Sequence, residues 1–494
     1  MGSKDSPNYY VMEEVNISQH NTMLIKINTE DVNYLDDIKE IFTEHVEGFQ
    51  YMPQYRSGGW NGKTCMIHNF LNTMPYGLLF DLIREHRKYF PRHNLTIEPE
   101  VKAIFNGPKF VPRYNLSLYP RNYQKESIRA CLDYTKGIIR SATASGKSLV
   151  ISYIVKTLLE REASGVKNAI IIVPTITLVE QFFGDMIEYG IPEDYIGRVH
   201  GKSKQWSNPI TISTWQTLQN NHDQLTNYDC VIVDEVHQSK AHQLKKILVK
   251  SVRAKYRLGF TGTLHSGKLD NWNTKSYLGP ILKEYPSGLL ADKGFISKCN
   301  VNVLNLEYKG EPYEGTYDEV KDAVFTNGFR ISLINDLVNR LDHNTLLLVG
   351  KVEKEGDYLK DILDSNKEVV FLSGRDSVEV REEWRKKMKH RKDVALIATY
   401  GIFQQGINIP NLKYIILASP FKSKIRVLQS IGRALRTHAD KENGAYIFDL
   451  HDHTTFFEKH GDVRYRYYDS EKFHISEYLF EEGDVIDISK IEIT

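Results

Sequence analysis

The chain has 494 residues, too many for one hydrophobic core, so its length predicts about three domains. Hydrophobic residues make up 41% and charged residues 26% of the sequence, which is ordinary for a globular protein. With 64 lysines and arginines against 63 acidic residues, the net charge is +1. This balance excludes a global attraction to nucleic acid, so any such binding must use local basic patches.

The four cysteines, Cys65, Cys131, Cys230 and Cys299, lie far apart and form no C-x-x-C pair. This spacing argues against a zinc site and a disulfide framework, and it fits a reducing compartment. No apolar run approaches the roughly 18 residues that a membrane span requires. We therefore expect a cytoplasmic protein that acts away from membranes.

Residues 1–112 contain no nucleotide-binding motif and are predicted to form a small α/β domain. A strand is predicted at 22–28, and a helix at 31–46 has its apolar side chains on one face. A turn-rich segment at 55–63 separates these elements from a second predicted helix at 76–89.

Short apolar runs alternate with helical segments in residues 113–300 and again in residues 301–494. This alternation is typical of βαβ units in a parallel sheet. The sequence therefore predicts two α/β domains in series. The strands are predicted at 137–140, 169–173, 210–212, 230–233, 345–349, 369–372, 394–398 and 414–418.

A candidate phosphate-binding loop runs from Ser141 to Ser148, between a predicted strand and a helical run. In such a loop backbone N–H groups cradle phosphates, the lysine reaches the β- and γ-phosphate oxygens, and the serine holds Mg²⁺. Ser141 replaces the usual first glycine, and Ala144 stands where many similar loops have glycine. Alone, Gly-Lys-Ser/Thr occurs by chance on the order of once in a few chains this long, so an ordinary helix cap is the alternative. The candidate contacts are Thr143, Ala144, Ser145, Gly146, Lys147 and Ser148.

Asp234-Glu235-Val236-His237 directly follows the apolar strand at 230–233. Ligands of parallel sheets bind at the carboxyl ends of the strands. Asp234 can hold Mg²⁺ there, and Glu235 can orient or deprotonate the attacking water. The alternative is a solvated acidic cluster, but a phosphate loop in the same domain favours the catalytic interpretation.

The segment from Gln429 to Arg436 in the second α/β domain places Arg433 and Arg436 three residues apart. Two guanidinium groups on one helix face can stabilise the charge that develops on a transferred phosphoryl group. Alone, this segment is more typical of a helix with ordinary surface arginines.

Taken together, these motifs resemble the motor core of superfamily 2 helicases and translocases over residues 115–450. Thr261-Gly262-Thr263 resembles the motif that couples hydrolysis to movement, and Thr399-Tyr400-Gly401 with Gly406 resembles motif V, which touches ATP and the tracked strand. The segment that reads adenine corresponds to Tyr119, Arg121 and Gln124, with Gln124 as the base contact. Residues that resemble strand contacts are Thr175, Thr214, Trp215, Gln216 and Thr399.

The resemblance implies two tandem RecA-like parallel-sheet domains with ATP and Mg²⁺ in the cleft between them. Lys147, Asp234, Glu235, His237 and Gln429 would then serve catalysis, and the two arginines would arrive from the second domain on closure. Tracking in the 3′ to 5′ direction is also implied.

Residues 52–62, 75–78 and 459–473 resemble the UvsW family of helicases from T-even-like bacteriophages. This resemblance implies a DNA helicase that remodels branched DNA, namely Holliday junctions, stalled forks and R-loops. Its partners would be branched or duplex DNA and RNA–DNA hybrids, with recombination or single-strand-binding proteins as further partners. A monomer in the host cytoplasm is expected if the chain is phage-encoded.

The amino-terminal domain would then bind duplex DNA through basic residues, because phosphate contacts need only charge and reach. The alternative is a solvated basic helix face and a tryptophan packed under a turn. The candidates are Arg56, Trp60, Lys63, Arg84, Arg87 and Lys88.

Two further clusters of polar residues are candidates for a DNA contact and for a metal site, respectively. The basic run at 385–392 fits a solvated helix end as well as a DNA contact. The group at Asp449, His451, Asp452, His453 and His460 matches no zinc spacing and is not expected to bind metal. Alternative functions are an RNA helicase, the motor subunit of a restriction system, and an ATP-binding scaffold without turnover.

Overall fold

The computed structural model of the chain describes residues 13–493, with gaps. The gaps fall at residues 202, 239–240, 265–266, 311–312, 406–408, 410, 420–426, 428–430, 433–437, 439–440, 442 and 455. The chain divides into two compact units. The first contains the residues up to Arg140 together with Lys147–Glu284, and the second contains Ser141–Gly146 and the residues from Tyr285 onward. The division at residues 112 and 300 stays a prediction.

The first unit begins with a four-stranded sheet in the order β5-β2-β1-β6. Val15 and Ile17 of β1 and Ile25 and Ile27 of β2 point to one buried face, as period-two alternation requires. The elements are β1 (Glu14–Gln19), β2 (Leu24–Asn28), α1 (Val32–Ile41), β3 (Thr43–His45), α2 (Pro53–Arg56), β4 (Lys63–Cys65), β5 (Thr73–Pro75), α3 (Leu79–Tyr89), β6 (Asn94–Ile97) and α4 (Pro99–Ala103).

Helix α1 is shorter than predicted. The side chain of Asp31 caps its first turn by accepting from the backbone N–H groups of Asn33 and Tyr34. The helix ends at Ile41, and Thr43–His45 pairs antiparallel with β4 instead of continuing the helix to Val46. Helix α3 likewise starts only at Leu79, after one 3₁₀ turn.

An eight-stranded sheet follows, in the order β10-β9-β11-β8-β12-β13-β7-β14. Strands β8, β12 and β13 are parallel and in register from Ala169, Cys230 and Tyr256, so their carboxyl ends lie at one edge. Apolar helices cover both faces. The elements are α5 (Asn122–Asp133), β7 (Lys136–Ser141), α6 (Lys147–Glu160), β8 (Ala169–Val173), α7 (Ile176–Glu188), β9 (Ile196–His200), β10 (Ser203–Lys204), β11 (Ile210–Thr214), α8 (Trp215–Gln219), β12 (Cys230–Val233), α9 (Ala241–Lys250), β13 (Tyr256–Thr261), α10 (Lys268–Leu278) and β14 (Ile281–Tyr285).

The second unit contains a seven-stranded sheet in the order β17-β18-β16-β19-β20-β15-β21, and its strand pairings are parallel. The elements are α11 (Ser287–Asp292), β15 (Cys299–Glu307), α12 (Tyr317–Phe325), α13 (Gly328–Arg340), β16 (Thr345–Val349), α14 (Tyr358–Ile362), β17 (Glu368–Leu372), α15 (Val378–Met388), β18 (Val394–Thr399), α16 (Tyr400–Gln405), β19 (Tyr414–Leu417), β20 (Ala445–Asp452), α17 (Phe457–Ser470) and β21 (His474–Glu481). The two predicted parallel-sheet regions are therefore confirmed. Within the described ranges, every helix is too short or too polar to cross a bilayer.

Candidate active site

The carboxyl ends of β12 and β13 bring the predicted catalytic acids close to a lysine and a threonine. Lys147 begins α6, and its Nζ lies 3.3 Å from Oε1 of Glu235. Both side chains are largely buried, at 10% and 16% exposure. Burial lowers the pKa of Lys147, but the carboxylates of Glu235 and Asp234 outweigh this effect and raise it above its ordinary value.

The two acids differ in charge state. Burial and the neighbouring charge of Glu235 raise the pKa of Asp234 to about 7. Burial also acts to raise the pKa of Glu235, but Lys147 and His237 outweigh it and lower that pKa below its ordinary value. Glu235 is therefore the ionised member of the pair in the absence of ligand, as a group that polarises water must be.

His237 connects the acids to the next strand. Its Nδ1 lies 2.5 Å from Oγ1 of Thr261 and 3.3 Å from Oε2 of Glu235. The Thr261 hydroxyl also contacts the carbonyl oxygen of Thr263 at 2.5 Å and accepts from the backbone N–H of Thr263. A buried polar chain thus joins Glu235 to the predicted coupling motif. The residues lie 24 positions apart, so spacing alone could not show it.

Backbone strain coincides with the candidate site. Glu235 has φ 49° and Ala144 has φ 68°, both in the left-handed region that disfavours side chains with a Cβ. Within the described ranges only two other non-glycine residues, Asn72 and Lys472, have positive φ. Such strain persists where the surrounding structure imposes it, and it is concentrated at functional sites. The geometry also explains why many similar loops have glycine where this chain has Ala144.

The loop Ser141–Gly146 belongs to the second unit. The N–H of Ala142 donates to the carbonyl of Tyr285 at 3.2 Å, and the N–H of Ser145 donates to Ala142. Gly432, from the predicted arginine segment, lies against this loop within the same unit. A Cβ at Gly432 would overlap the Cβ of Thr143, so only glycine fits at this approach.

The donor set at β12 fits a magnesium ion. Oδ1 of Asp234 is buried and has no hydrogen-bond partner within the described part of the chain. The Ser148 hydroxyl lies 3.0 Å from the Tyr189 hydroxyl, which can release it to a ligand. Carboxylate and hydroxyl oxygens suit a hard divalent cation that also retains water ligands.

The predicted adenine-reading residues lie at the start of α5. Gln124 is buried, and its Oε1 accepts the backbone N–H of Arg121 at 2.8 Å. Tyr119 is 68% exposed, with Nζ of Lys125 lying 4.3 Å from its ring centroid. An exposed ring beside a helix start is suited to stacking on a base.

The candidate strand contacts of the first unit occupy helix starts. Thr175 and Thr214 cap α7 and α8 by accepting backbone N–H groups from Leu178 and Thr217. Gln216 is exposed. Trp215 corrects the prediction: it is 4% exposed and packs in the core under the sheet, so its ring cannot stack on a nucleotide.

In the second unit, Thr399 ends β18 and is 8% exposed. The remaining predicted residues of this unit lie outside the described residues. They are Gly406, Gln429, Arg433 and Arg436.

The amino-terminal candidates divide into packed and exposed side chains. The indole N–H of Trp60 donates to the carbonyl of Lys63 at 2.8 Å, which agrees with the packed alternative. Arg84 pairs with Asp81 and Glu85 at 2.9 and 2.8 Å, so its charge is compensated. Four exposed cations remain as candidate phosphate contacts, namely Arg56, Lys63, Arg87 and Lys88.

Comparisons with known proteins agree with this architecture. Residues 14–91 match the family described as DNA helicase UvsW, N-terminal, residues 117–266 match the type III restriction enzyme res subunit family, and residues 330–438 match the helicase conserved C-terminal domain. The ATP-dependent DNA helicase uvsW of Enterobacteria phage T4 is 24% identical over 93% of this chain and 98% of its own. The chain is an ATP-dependent DNA helicase that is similar to UvsW over nearly its whole length.

The chain is also similar to other known proteins. The DNA 3'-5' translocase XPB2 of Sulfurisphaera tokodaii is 24% identical over 74% of this chain and 89% of its own. The crystal structure of T4 UvsW aligns with 95% of this helicase and 99% of that chain, at 22% identity and a TM-score of 0.48. The type ISP restriction-modification enzyme LlaBIII bound to DNA aligns with 79% of this helicase and 34% of that chain, at 13% identity and a TM-score of 0.54. Two RecA-like domains preceded by a small α/β domain are confirmed, and the helicase is an ATP-hydrolysing enzyme.

Proposed function

We propose that this helicase remodels branched DNA by moving Holliday junctions, regressing stalled forks and unwinding R-loops. The observation that carries the proposal is the amino-terminal domain. It matches the UvsW-type domain, and the similarity to the T4 DNA helicase extends over nearly the whole chain. The restriction-type match covers only residues 117–266, so a restriction motor is the second candidate.

Hydrolysis is proposed to start from the contact between Lys147 and Glu235. Phosphate oxygens of ATP would draw Lys147 away from Glu235, because phosphate carries more charge than one carboxylate. Without its counter-ion, the Glu235 carboxylate becomes more basic and accepts a proton from the attacking water at Oε1. Asp234 and Ser148 would hold Mg²⁺, which screens charge on the phosphates when bound.

The chain from Glu235 through His237 to Thr261 is proposed to report the hydrolysis state. Helix α10 follows this motif, and the amino-terminal domain is fixed to α10. The Tyr76 hydroxyl donates to the carbonyl of Tyr277 at 2.5 Å, and Nζ of Lys275 lies 3.0 Å from Asp81. A movement of α10 would therefore carry the DNA-binding surface with it.

The amino-terminal domain packs closely against α10 of the first motor domain. A Cβ at Gly77 would overlap the carbonyl oxygen of Lys275, so no other residue fits there without moving backbone. Phe42 stacks on Trp272 of α10 with ring centroids 5.2 Å apart. These contacts support a rigid connection between the domain that would bind duplex DNA and the first motor sheet.

The proposed action on branched DNA also implies phosphate contacts, an oligomeric state and partner proteins. Exposed Arg56, Lys63, Arg87 and Lys88 would contact duplex phosphates. A monomer that meets recombination or single-strand-binding proteins in the host cytoplasm is proposed, provided that the chain is phage-encoded.

A substrate panel tests the function. Unwinding is measured on a Holliday junction, a fork, an R-loop, a blunt duplex and duplex RNA of matched length. We expect ATP-dependent activity on the three branched substrates and little on blunt duplex or RNA. Preference for duplex RNA, or ATP-driven movement along linear duplex without unwinding, would instead support an RNA helicase or a restriction-type motor.

Paired variants sharpen this test. The double variant R87Q/K88Q should weaken junction binding. The slope of log affinity against log salt concentration should also become shallower by about two, because two phosphate contacts are lost. Its ATPase rate without DNA should not change. The control is Lys387→Gln, because Lys387 is already paired with Glu383 at 2.8 Å. Equal losses in the two variants would exclude a specific role for the amino-terminal domain.

A further inference from the structure

A cavity of about 370 Å³ lies at the edge of the first motor sheet opposite the active site, where β7 and β13 begin. We call it the basal cavity. Four cations line it, Lys136, Arg253, Lys255 and Arg257, against one acid, Glu100. Thr22 and Asn106 add neutral hydrogen-bonding groups, and Thr22 comes from the amino-terminal domain.

Arg257 is the deepest of these cations, at 2% exposure. Its Nε donates to the carbonyl of Ala254 at 3.2 Å, and its Nη2 donates to the carbonyl of Ser251 at 3.1 Å. Its Nη1 lies 2.7 Å from Sδ of Met23 and 3.5 Å from the Tyr76 hydroxyl. Among the described residues, no carboxylate forms an ion pair with it.

Lys136 is buried beside Arg257. It is 9% exposed, and its Nζ donates to the carbonyl of Ile104 at 2.8 Å. Within the described part of the chain it too lacks a carboxylate partner. Burial, with the like charges of Arg257 and Lys255, lowers its pKa to about 7. The fold thus places the Arg257 guanidinium beside a buried lysine that is only partly protonated near neutral pH. A full positive charge on Lys136 is costly there unless an anion joins the two side chains.

The nearby carboxylates do not neutralise Arg257 and Lys136. Asp229 is already held by Arg253 at 3.0 Å and by the backbone N–H of Lys167 at 2.9 Å. Glu100 is exposed, whereas Arg257 and Lys136 are buried. An open cavity with excess positive charge therefore remains between the amino-terminal domain and the sheet.

We propose that the basal cavity binds a phosphate group. A planar guanidinium and ammonium groups beside hydroxyl and amide donors suit a tetrahedral oxyanion. The group would belong either to a free phosphate-bearing ion or to a DNA backbone. Because the lining comes from both the amino-terminal domain and the sheet, binding would stabilise their junction. The site stands independently of the proposed action on branched DNA.

Sulfate is the probe, because its charge does not change near neutral pH. Full-length protein is saturated with ADP to occupy the nucleotide site, and thermal unfolding is followed in sodium sulfate against sodium chloride of equal ionic strength. We expect sulfate to raise the unfolding midpoint of the wild type. Lys255→Gln, at the rim of the basal cavity, and Lys136→Met, in its interior, should each lose most of the sulfate-dependent rise in the unfolding midpoint. Lys136→Met should also be more stable than the wild type without sulfate, because it removes an uncompensated buried charge.

Lys250→Gln is the matched control, since Lys250 is exposed at the end of α9 and does not line the cavity. It should keep the full sulfate increment. An equal increment in wild type, Lys255→Gln and Lys136→Met would overturn the proposal. If Lys136→Met fails to fold, the exposed rim variant Lys255→Gln decides the outcome.

Two further measurements, a pH series and a competition with DNA, identify the ligand. The apparent sulfate affinity of the wild type should fall at least about fivefold between pH 6 and pH 8.5, because binding requires protonated Lys136. In Lys136→Met this fall should disappear, and a pH-independent wild type would contradict the assignment of Lys136. Duplex DNA that displaces sulfate identifies the DNA backbone as the source of phosphate, whereas DNA without effect identifies a free ion.

Discussion

Both motor sheets carry buried carboxylates at or near the ends of strands, but the two sheets differ in how completely those carboxylates are paired. In the first unit, Asp234 has an oxygen without a partner in the described ranges, and Glu235 sits on strained backbone beside Lys147. In the second, Asp449 within β20 and Asp452 at its end have hydrogen-bond partners for both carboxylate oxygens.

The partners in the second unit are two buried arginines, one buried tyrosine and one half-buried tyrosine. Asp449 accepts from Arg464 at 2.8 Å and from the Tyr468 hydroxyl at 2.7 Å. Asp452 accepts from Arg330 at 2.9 Å and from the Tyr308 hydroxyl at 2.6 Å. Buried acids therefore do not by themselves indicate chemistry. Incomplete pairing and backbone strain distinguish the proposed catalytic acids of the first unit from the structural acids of the second.

The lysine–glutamate pairs repeat this contrast. Lys147 and Glu235 are 3.3 Å apart in the first unit, whereas Lys321 and Glu355 are 2.5 Å apart in the second. Glu355 also accepts the backbone N–H of Gly350 at 2.6 Å. The looser pair can exchange partners when a ligand arrives, and the tighter pair holds the fold.

Breaking a structural pair should give the largest effect. Arg464→Met leaves Asp449 charged and buried, so the free energy of unfolding should fall by about 3–5 kcal/mol. Urea denaturation measures this change. The double variant R464M/D449L should recover much of the loss, because a buried ion pair replaced by apolar side chains is often neutral. No recovery would mean that Arg464 contributes chiefly through other contacts.

Breaking the reactive pair should affect turnover instead. Lys147→Ala removes the charge that would meet the phosphates, so ATP hydrolysis should fall about 10²–10³-fold. Lys321→Ala is the matched control and should destabilise the fold with little effect on turnover per folded molecule. The contrast between the two units fails if both variants lose stability alike while Lys147→Ala keeps its ATPase rate.

The link between the acids and Thr261 should have a smaller effect. His237→Ala should lower unwinding about tenfold, with nucleotide affinity unchanged, because it interrupts the buried chain rather than the phosphate contacts. His237→Gln keeps a donor that can reach Thr261 and should retain most activity. Loss of nucleotide binding in His237→Ala would assign this residue to ATP rather than to coupling.

The surface run at 385–392 should matter least. Arg391 pairs with Asp393 at 2.7 Å and with Glu368, and Arg385 pairs with Glu382. Arg391→Gln should therefore leave both the unfolding midpoint and the salt dependence of DNA binding unchanged. A reduction of about one in the salt slope would indicate a phosphate contact.

The sequence predicted two parallel-sheet regions and eight of their strands, because apolar runs and turn residues are local signals. It also placed Asp234 and Glu235 correctly at a strand end. It could not show that Trp215 packs in the core, since the residue type suits both stacking and burial. Pairs such as Arg330 with Asp452, 122 positions apart, depend on strand order and leave no local pattern.

Glu235→Gln provides the most direct measurement of the central claim, that Glu235 activates the attacking water. Nucleotide affinity and DNA-stimulated turnover are measured on the same preparation. Glutamine preserves the shape of the side chain but cannot take a proton, and it also frees Lys147 from its ion pair. We therefore predict nucleotide binding at least as tight as in the wild type and no detectable turnover. DNA-stimulated hydrolysis at the wild-type rate in Glu235→Gln would contradict the account.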